Sequence, residues 1–122
     1  MRALIVDDSR AMRLILARSL RKLGFETLEA GTGREGLECL AAAGKIDLAL
    51  VDWNMPGMNG LDFVRAVRAV PAYEAMRLMM VTTETAMEQI YLALESGANE
   101  YVMKPFTAEM ITEKLQLLGL VD

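Results

Sequence analysis

Five short runs of strand character, each followed by a stretch with helical spacing, constrain this chain more than any other feature. The runs are Ala3 to Val6, Phe25 to Ala30, Asp47 to Val51, Arg77 to Val81 and Glu100 to Met103. They are short, bounded by turn formers, and rich in the residues of buried strands. From Ser9 to Leu23 the residues Met12, Ile15, Leu16, Leu20 and Leu23 recur at helical spacing, which places all five on a core stripe. Gly24 stops that helix. Thr32-Gly33-Arg34-Glu35 has the spacing of a capping box and opens a second helix that ends near Gly44. Asn54 to Gly60 is dense in turn formers and reads as a loop. Leu61, Val64 and Val67 mark a third helix, broken before Pro71. Thr85-Ala86-Met87-Glu88 is a second capping box, leading to Ile90, Ala93 and Leu94 on one face and to Gly97 as the stop. Thr107 caps a last helix with Ile111, Leu115 and Leu118 toward the core. Five strand–helix units in series predict an α/β fold with one parallel sheet, helices on both faces and right-handed crossovers. No linker or repeat interrupts the pattern, so residues 1–122 read as a single domain.

The bulk properties remove several function classes. A length of 122 residues suits one hydrophobic core. A formal charge of −4 argues against a nucleic-acid face, which needs clustered cations. Arg10, Arg13, Arg18, Arg21 and Lys22 do crowd the first helix, and they read as a solvated face. No apolar stretch approaches the roughly 20 residues that span a bilayer. The N-terminal apolar run leads straight into Asp7-Asp8 and is no signal peptide. Cys39 is the only cysteine, so no internal disulfide forms. These features fit a cytosolic protein. The chain has no histidine at all, which excludes a Ser-His-Asp triad, a Cys-His pair and a histidine-ligated zinc. Any phosphohistidine that takes part in its chemistry belongs to another protein.

The strand ends carry the chemistry. Asp7-Asp8 follows the first strand, Asp52 the third, Thr82-Thr83 the fourth and Lys104 the fifth. In an open parallel sheet the C-terminal edge is where ligands bind. Carboxylates gathered there repel, by roughly 4 kcal/mol for a pair about 4 Å apart at an effective dielectric near 20. A hard divalent cation offsets that cost, and magnesium is the usual one beside phosphate. A carboxylate can also act as a nucleophile and form an aspartyl-phosphate. Thr82 supplies a hydroxyl donor and Lys104 a compact cation, so metal ligands, nucleophile, donor and cation are all present. Each residue alone has a plainer reading. An Asp after a strand is often a helix cap, a Lys before Pro105 a solvated loop residue, and Thr82 a turn former. All of them on one edge of one sheet is a far rarer combination.

Taken together, Asp7-Asp8, Asp52, Thr82 and Lys104-Pro105 resemble the receiver domain of bacterial response regulators, over essentially the whole chain. The segments Asp52-Trp53-Asn54-Met55-Pro56 and Tyr101 to Thr107 look most like the single-domain chemotaxis members of that family. The resemblance implies a flavodoxin-like, doubly wound five-stranded sheet of order 2-1-3-4-5 with five helices. It implies a phosphorylation-dependent signalling switch, not an enzyme with a free substrate. Asp52 would be the phosphoacceptor. Asp7, Asp8, Asp52 and the Asn54 carbonyl would hold Mg2+, and Thr82 and Lys104 would contact the phosphoryl group. Thr82 and Tyr101 would form the switch, Asn54 and Glu84 would tune dephosphorylation, and the peptide before Pro105 would be cis. The donor would be a sensor histidine kinase or a histidine phosphotransfer protein, and the target a motor switch or a relay component. Neither nucleic acid nor membrane is implied.

Other classes fit less well. A metal-dependent phosphohydrolase usually carries a second carboxylate two residues after its nucleophile, where this chain has Asn54. A flavodoxin-like electron carrier needs a Ser/Thr/Gly-rich phosphate loop after the first strand, and none is present. A receiver-like scaffold that is never phosphorylated would not need the complete acidic set. On the fourth helix, Ala86 and Met87 stand where the chemotaxis regulator has a pair of lysines, and Tyr91 follows on the same helix. The face of helix four, strand five and helix five is therefore expected to bind partners by packing more than by charge.

Overall fold

The computed structural model describes residues 1–83 and 87–122. Strands β1 (Arg2–Val6), β2 (Glu26–Ala30), β3 (Leu48–Val51), β4 (Arg77–Thr82) and β5 (Glu100–Met103) form one parallel sheet in the order β2-β1-β3-β4-β5. Helices α1 (Arg10–Lys22), α2 (Gly33–Ala43), α3 (Gly60–Arg68), α4 (Met87–Glu95) and α5 (Ala108–Leu117) make the connections, with a short 3-10 turn at Pro71–Tyr73. Among the described residues, no helix is long and apolar enough to cross a membrane.

Successive residues of a strand face opposite sides of the sheet, so the central strands feed two cores. Leu4, Val6, Ala49, Val51, Leu78 and Met80 pack with Leu40, Phe63, Val64, Val67 and Ala93. Ala3, Ile5, Leu48, Leu50, Met79 and Val81 pack with Leu16, Ala17, Leu20, Ile111 and Leu115. Helices α2, α3 and α4 thus cover one face, and α1 and α5 the other. The chain leaves β1 toward β2 and returns to the far side of β1 as β3, so the strand order reverses between β1 and β3. A crevice opens above such a reversal. The register pairs Val6 with Val51, and Val51 with Met80. The residues just beyond these pairs are Asp7 and Asp52, and the Asp52 N–H continues the ladder by donating to the Val6 carbonyl at 2.9 Å.

Several local features differ from the sequence reading. Ile15 is 52% exposed and so is Leu14. Leu16, Ala17 and Leu20 take the sheet-facing side of α1, and Ile15 lies roughly 100° round the helix from Leu16. Thr32 does cap α2 by accepting from the Glu35 N–H, but the Glu35 carboxylate reaches past Thr32 to the Gly31 N–H at 3.1 Å. Asn59 and Asp62 form a capping box that starts α3 at Gly60, the last residue of the expected loop. The box expected at Thr85 falls outside the described residues. The basic residues of α1 are not all solvated, since Arg13 pairs with Glu29 and Arg21 donates to the Thr27 hydroxyl.

Arg68, at the end of α3, ties together the lower end of the sheet. Its five N–H donors go to the carbonyls of Tyr73, Glu74, Met76 and Gly97 and to the Asn99 side chain. Burial, and then the nearby Arg77, lowers its pKa. These acceptors satisfy the part-buried guanidinium, and among the described residues no carboxylate forms an ion pair with it.

At the other end of α3, Gly60 approaches the backbone after β3. Its N–H donates to the Trp53 carbonyl at 2.9 Å. A Cβ there would meet the Asp52 carbonyl oxygen, and would stand 2.8 Å from both Met80 Cε and Trp53 Cα. Two of those three atoms are backbone and cannot swing aside. Gly60→Ala is therefore expected to cost about 1–3 kcal/mol of stability. Urea unfolding followed by the fluorescence of Trp53 measures it, and an unchanged midpoint would show that the loop yields freely.

Candidate functional site

The sheet brings the carboxylates of Asp7, Asp8 and Asp52 to one place, with one oxygen of each within 4.8 Å of the others. Asp7 and Asp52 are buried, at 1% and 6% exposure, whereas Asp8 faces solvent. Neither Asp7 nor Asp8 is the cap of α1. That role falls to Ser9, whose hydroxyl accepts from the Met12 N–H. Asp7 is held at every polar atom. Its N–H donates to the Ala30 carbonyl, and its own carbonyl accepts from Arg13 at 2.7 Å. One carboxylate oxygen accepts from the Ser9 N–H at 2.9 Å, and the other lies 3.1 Å from Lys104 Nζ.

Lys104 comes from the far side of the site. It follows β5, and its N–H donates to the Thr82 carbonyl at 2.8 Å, extending the β4–β5 ladder by one residue. The Lys104–Pro105 peptide is cis. From there the ammonium reaches over the end of β4 to Asp7 at 3.1 Å and Asp52 at 3.6 Å. One cation thus bridges two of the three carboxylates.

Burial pushes the Asp52 carboxyl above its ordinary range. Lys104 pulls it back, Asp7 raises it, the Asn54 backbone N–H lowers it by hydrogen bonding, and Asp8 raises it. Two of the raising causes are neighbouring carboxylates, and a divalent cation among the three would relieve both. The donor set is all oxygen, as magnesium requires, and Asp8 is open to solvent for ion entry. The residues present therefore fit such an ion.

Thr82 ends β4 with 2% exposure. It lines a narrow cleft with Trp53, Met80, Ile90, Ala93, Leu94 and Tyr101. Tyr101 is half-buried, and Lys114 Nζ lies 5.3 Å from its ring centroid. Lys114 also pairs with Glu100 at 3.0 Å. Asn54 is exposed on the loop beyond Asp52. Glu84 and Ala86 lie outside the described residues. The structure therefore gathers Asp7, Asp8, Asp52 and Lys104 into direct contact range and sets Thr82 and Tyr101 together beside Trp53. It adds two residues absent from the sequence reading of the site, Ser9 and Arg13. Ser9 could have been found from its place before a helical stripe. The inward turn of Arg13 has no sequence signal.

Comparison with known proteins agrees with this arrangement. The family model described as the response regulator receiver domain matches residues 3–116. Chemotaxis protein CheY1 of Helicobacter pylori is 43% identical over 119 residues, covering 97% of this chain and 96% of that protein. Chemotaxis protein CheY of Pseudomonas aeruginosa is 46% identical over 117 residues, covering 95% and 94%. The solved structure of Vibrio cholerae CheY4 superposes with a TM-score of 0.88 at 36% identity, covering 95% of this chain and 96% of that one.

The raised pKa of Asp52 has a consequence for stability. The folded protein holds the Asp52 proton more tightly than the unfolded chain does. Stability from this group is therefore fully present below the ordinary value of 3.8 and is lost as pH rises through the raised folded value. In chelator at pH 7, Asp52→Asn is expected to melt a few degrees higher than the wild type, with the gap closing in acid and in saturating magnesium. Calorimetry across pH tests this, and an Asn variant that melts lower at pH 7 would reverse the sign assigned to burial.

Proposed function

Because the chain belongs to the response regulator receiver domain family, we propose that Asp52 is the phosphoacceptor of its phosphorylation-dependent switch. The observation that carries the reading is a buried carboxylate at the end of β3, flanked by two further carboxylates and 3.6 Å from a lysine ammonium. The donor is a phosphohistidine on a sensor histidine kinase or a histidine phosphotransfer protein, since this chain has no histidine of its own. An Asp52 oxygen attacks phosphorus, the nitrogen–phosphorus bond breaks, and the donor imidazole leaves with the electron pair. Asp7, Asp8, Asp52 and the Asn54 carbonyl are the magnesium ligands in this reading. The ion, when bound, supplies the charge that three carboxylates and a phosphoryl group demand. Lys104 favours the ionised form of Asp52 and then faces the added phosphoryl charge of roughly −2.

Thr82 donates its hydroxyl to a phosphoryl oxygen and thereby withdraws from the cleft it shares with Tyr101. The Tyr101 ring follows inward, which changes the surface of α4, β5 and α5. The relatives named as chemotaxis proteins favour a motor switch as the target, with a relay component as the second choice. Residues 1–122 act as one receiver unit, in the cytoplasm. Asn54 and Glu84 tune the hydrolysis of the aspartyl-phosphate. The face exposes large apolar side chains: Met87 is 72% exposed, Tyr91 66% and Met103 40%. Methionine adapts to irregular contacts, and an exposed aromatic anchors an interface.

Magnesium and beryllofluoride are expected to change the fluorescence of Trp53, which is the sole tryptophan and follows Asp52 directly. A small phosphodonor should label the protein in magnesium, with decay on the order of seconds to minutes, within the range of slow switching events. This rate rests on the likeness of Asn54 and Glu84 to the pair in the fast-relaxing chemotaxis regulator, and an hours-long lifetime would overturn it. Equal labelling of Asp52→Asn would place the phosphate elsewhere. In binding to the target, Met87→Ala and Tyr101→Ala are each expected to cost roughly 1–2 kcal/mol with phosphorylation intact. Arg18→Ala should cost nothing, and added salt should matter little. The opposite pattern would move the interface to α1.

A further inference from the structure

We propose that Arg13 is a positioning residue of the acidic pocket, holding the turn that presents Asp7 and Asp8. The inference rests on reading Asp7, Asp8 and Asp52 as a magnesium pocket. It adds a residue that is not itself a ligand.

The Arg13 side chain is only 18% exposed. Nη1 donates to the Asp7 carbonyl at 2.7 Å, and Nε donates to Glu29 Oε1 at 3.1 Å. One planar guanidinium thus joins α1 to the end of β1 and to β2. Its donors are fixed relative to one another, so the two bonds set one orientation.

The bonded carbonyl belongs to the peptide that links Asp7 to Asp8. A peptide unit is planar, so holding its oxygen fixes the plane from which Asp8 projects. Asp7 has further anchors in Ala30, Ser9 and Lys104. Asp8 is exposed, and the Arg13 bond is the side-chain restraint on the peptide that carries it. A second-layer group that orients a ligand carboxylate contributes to metal affinity without touching the metal.

The guanidinium affects a bound cation in two opposing ways. Its charge repels the ion, whereas its hold on the peptide places the ligands. The sign of the effect of removing it therefore separates the two. Magnesium also demands near-octahedral geometry, which calcium tolerates losing. A positioning role must cost magnesium more than calcium, and a general loss of stability would not discriminate.

Magnesium and calcium titrations of the full chain, read by Trp53 fluorescence, test the proposal on the wild type, Arg13→Gln, Arg13→Lys and Glu29→Gln. Both Arg13 variants are expected to bind magnesium about tenfold more weakly. Calcium should weaken clearly less. Glu29→Gln, which leaves the Asp7 carbonyl bond in place, should shift magnesium least of the three. Tighter magnesium binding by Arg13→Gln, or an unshifted Arg13→Lys, would overturn the proposal in favour of charge alone. Equal loss of both ions in step with a lower melting temperature would overturn it in favour of simple support of the fold. A wild-type protein with no magnesium response would overturn the pocket reading and this proposal with it. A wild-type response with unshifted Arg13 variants would overturn this proposal alone.

Discussion

Three carboxylates and one ammonium meet at the C-terminal edge of the sheet, and much of the molecule serves to hold them there. Lys104 lies 3.1 Å from Asp7 and 3.6 Å from Asp52, yet it comes from β5, two strands away from the β3 that carries Asp52. Two strand spacings are about 9.5 Å. A lysine spans that distance because its charge sits at the end of a long apolar stem. One positive charge against three negative ones leaves the pocket short of cation. Burial, together with that deficit, raises the pKa of Asp52, and an all-oxygen cluster of this kind suits a divalent ion.

Such a cluster survives only on a rigid platform. Leu4, Ile5, Leu48, Leu78 and Met79 are fully buried, and the strands that carry them cannot slide without exposing both cores at once. Asp7, Asp52 and Lys104 sit one position beyond the paired register, so they inherit the precision of the ladder while their side chains leave it. The Asp52 N–H on Val6 and the Lys104 N–H on Thr82 mark the last backbone bonds before the chemistry begins. The flank of this platform is more exposed. Thr82, Tyr101 and Trp53 line one narrow cleft, and large apolar side chains on α4 and β5 stand in solvent.

Much of this was legible in the linear chain, for identifiable reasons. The strand–helix alternation is written in hydrophobic period, and carboxylate after a buried strand is a local signal visible at Asp7-Asp8 and at Asp52. Other features were not legible. Arg68 spends its five donors on acceptors scattered from Tyr73 to Asn99, and nothing near Arg68 in sequence announces them. Arg13 looked like one more solvated cation on a basic helix until the fold turned it toward the Asp7 carbonyl. Ile15 looked like core because helical spacing alone does not say where a stripe is centred. The sheet made that choice by contacting Leu16, Ala17 and Leu20. The capping box of Asn59 and Asp62 was readable from its spacing, but the turn formers around it drew the loop one residue too long.

The amino-acid sequence by itself determined the class of fold, the number of strands and which residue types end each strand, because hydrophobic period and turn chemistry are local properties. It also excluded histidine chemistry within the chain outright, by composition. Only the tertiary structure decided which strand ends become neighbours. The reversal of strand order between β1 and β3 puts Asp7 against Asp52, and the parallel register sets Lys104 within reach of both. It also decided which of several similar arginines faces the pocket. Those are long-range outcomes, set by how two cores fill simultaneously on opposite faces of one sheet, and no local pattern contains them.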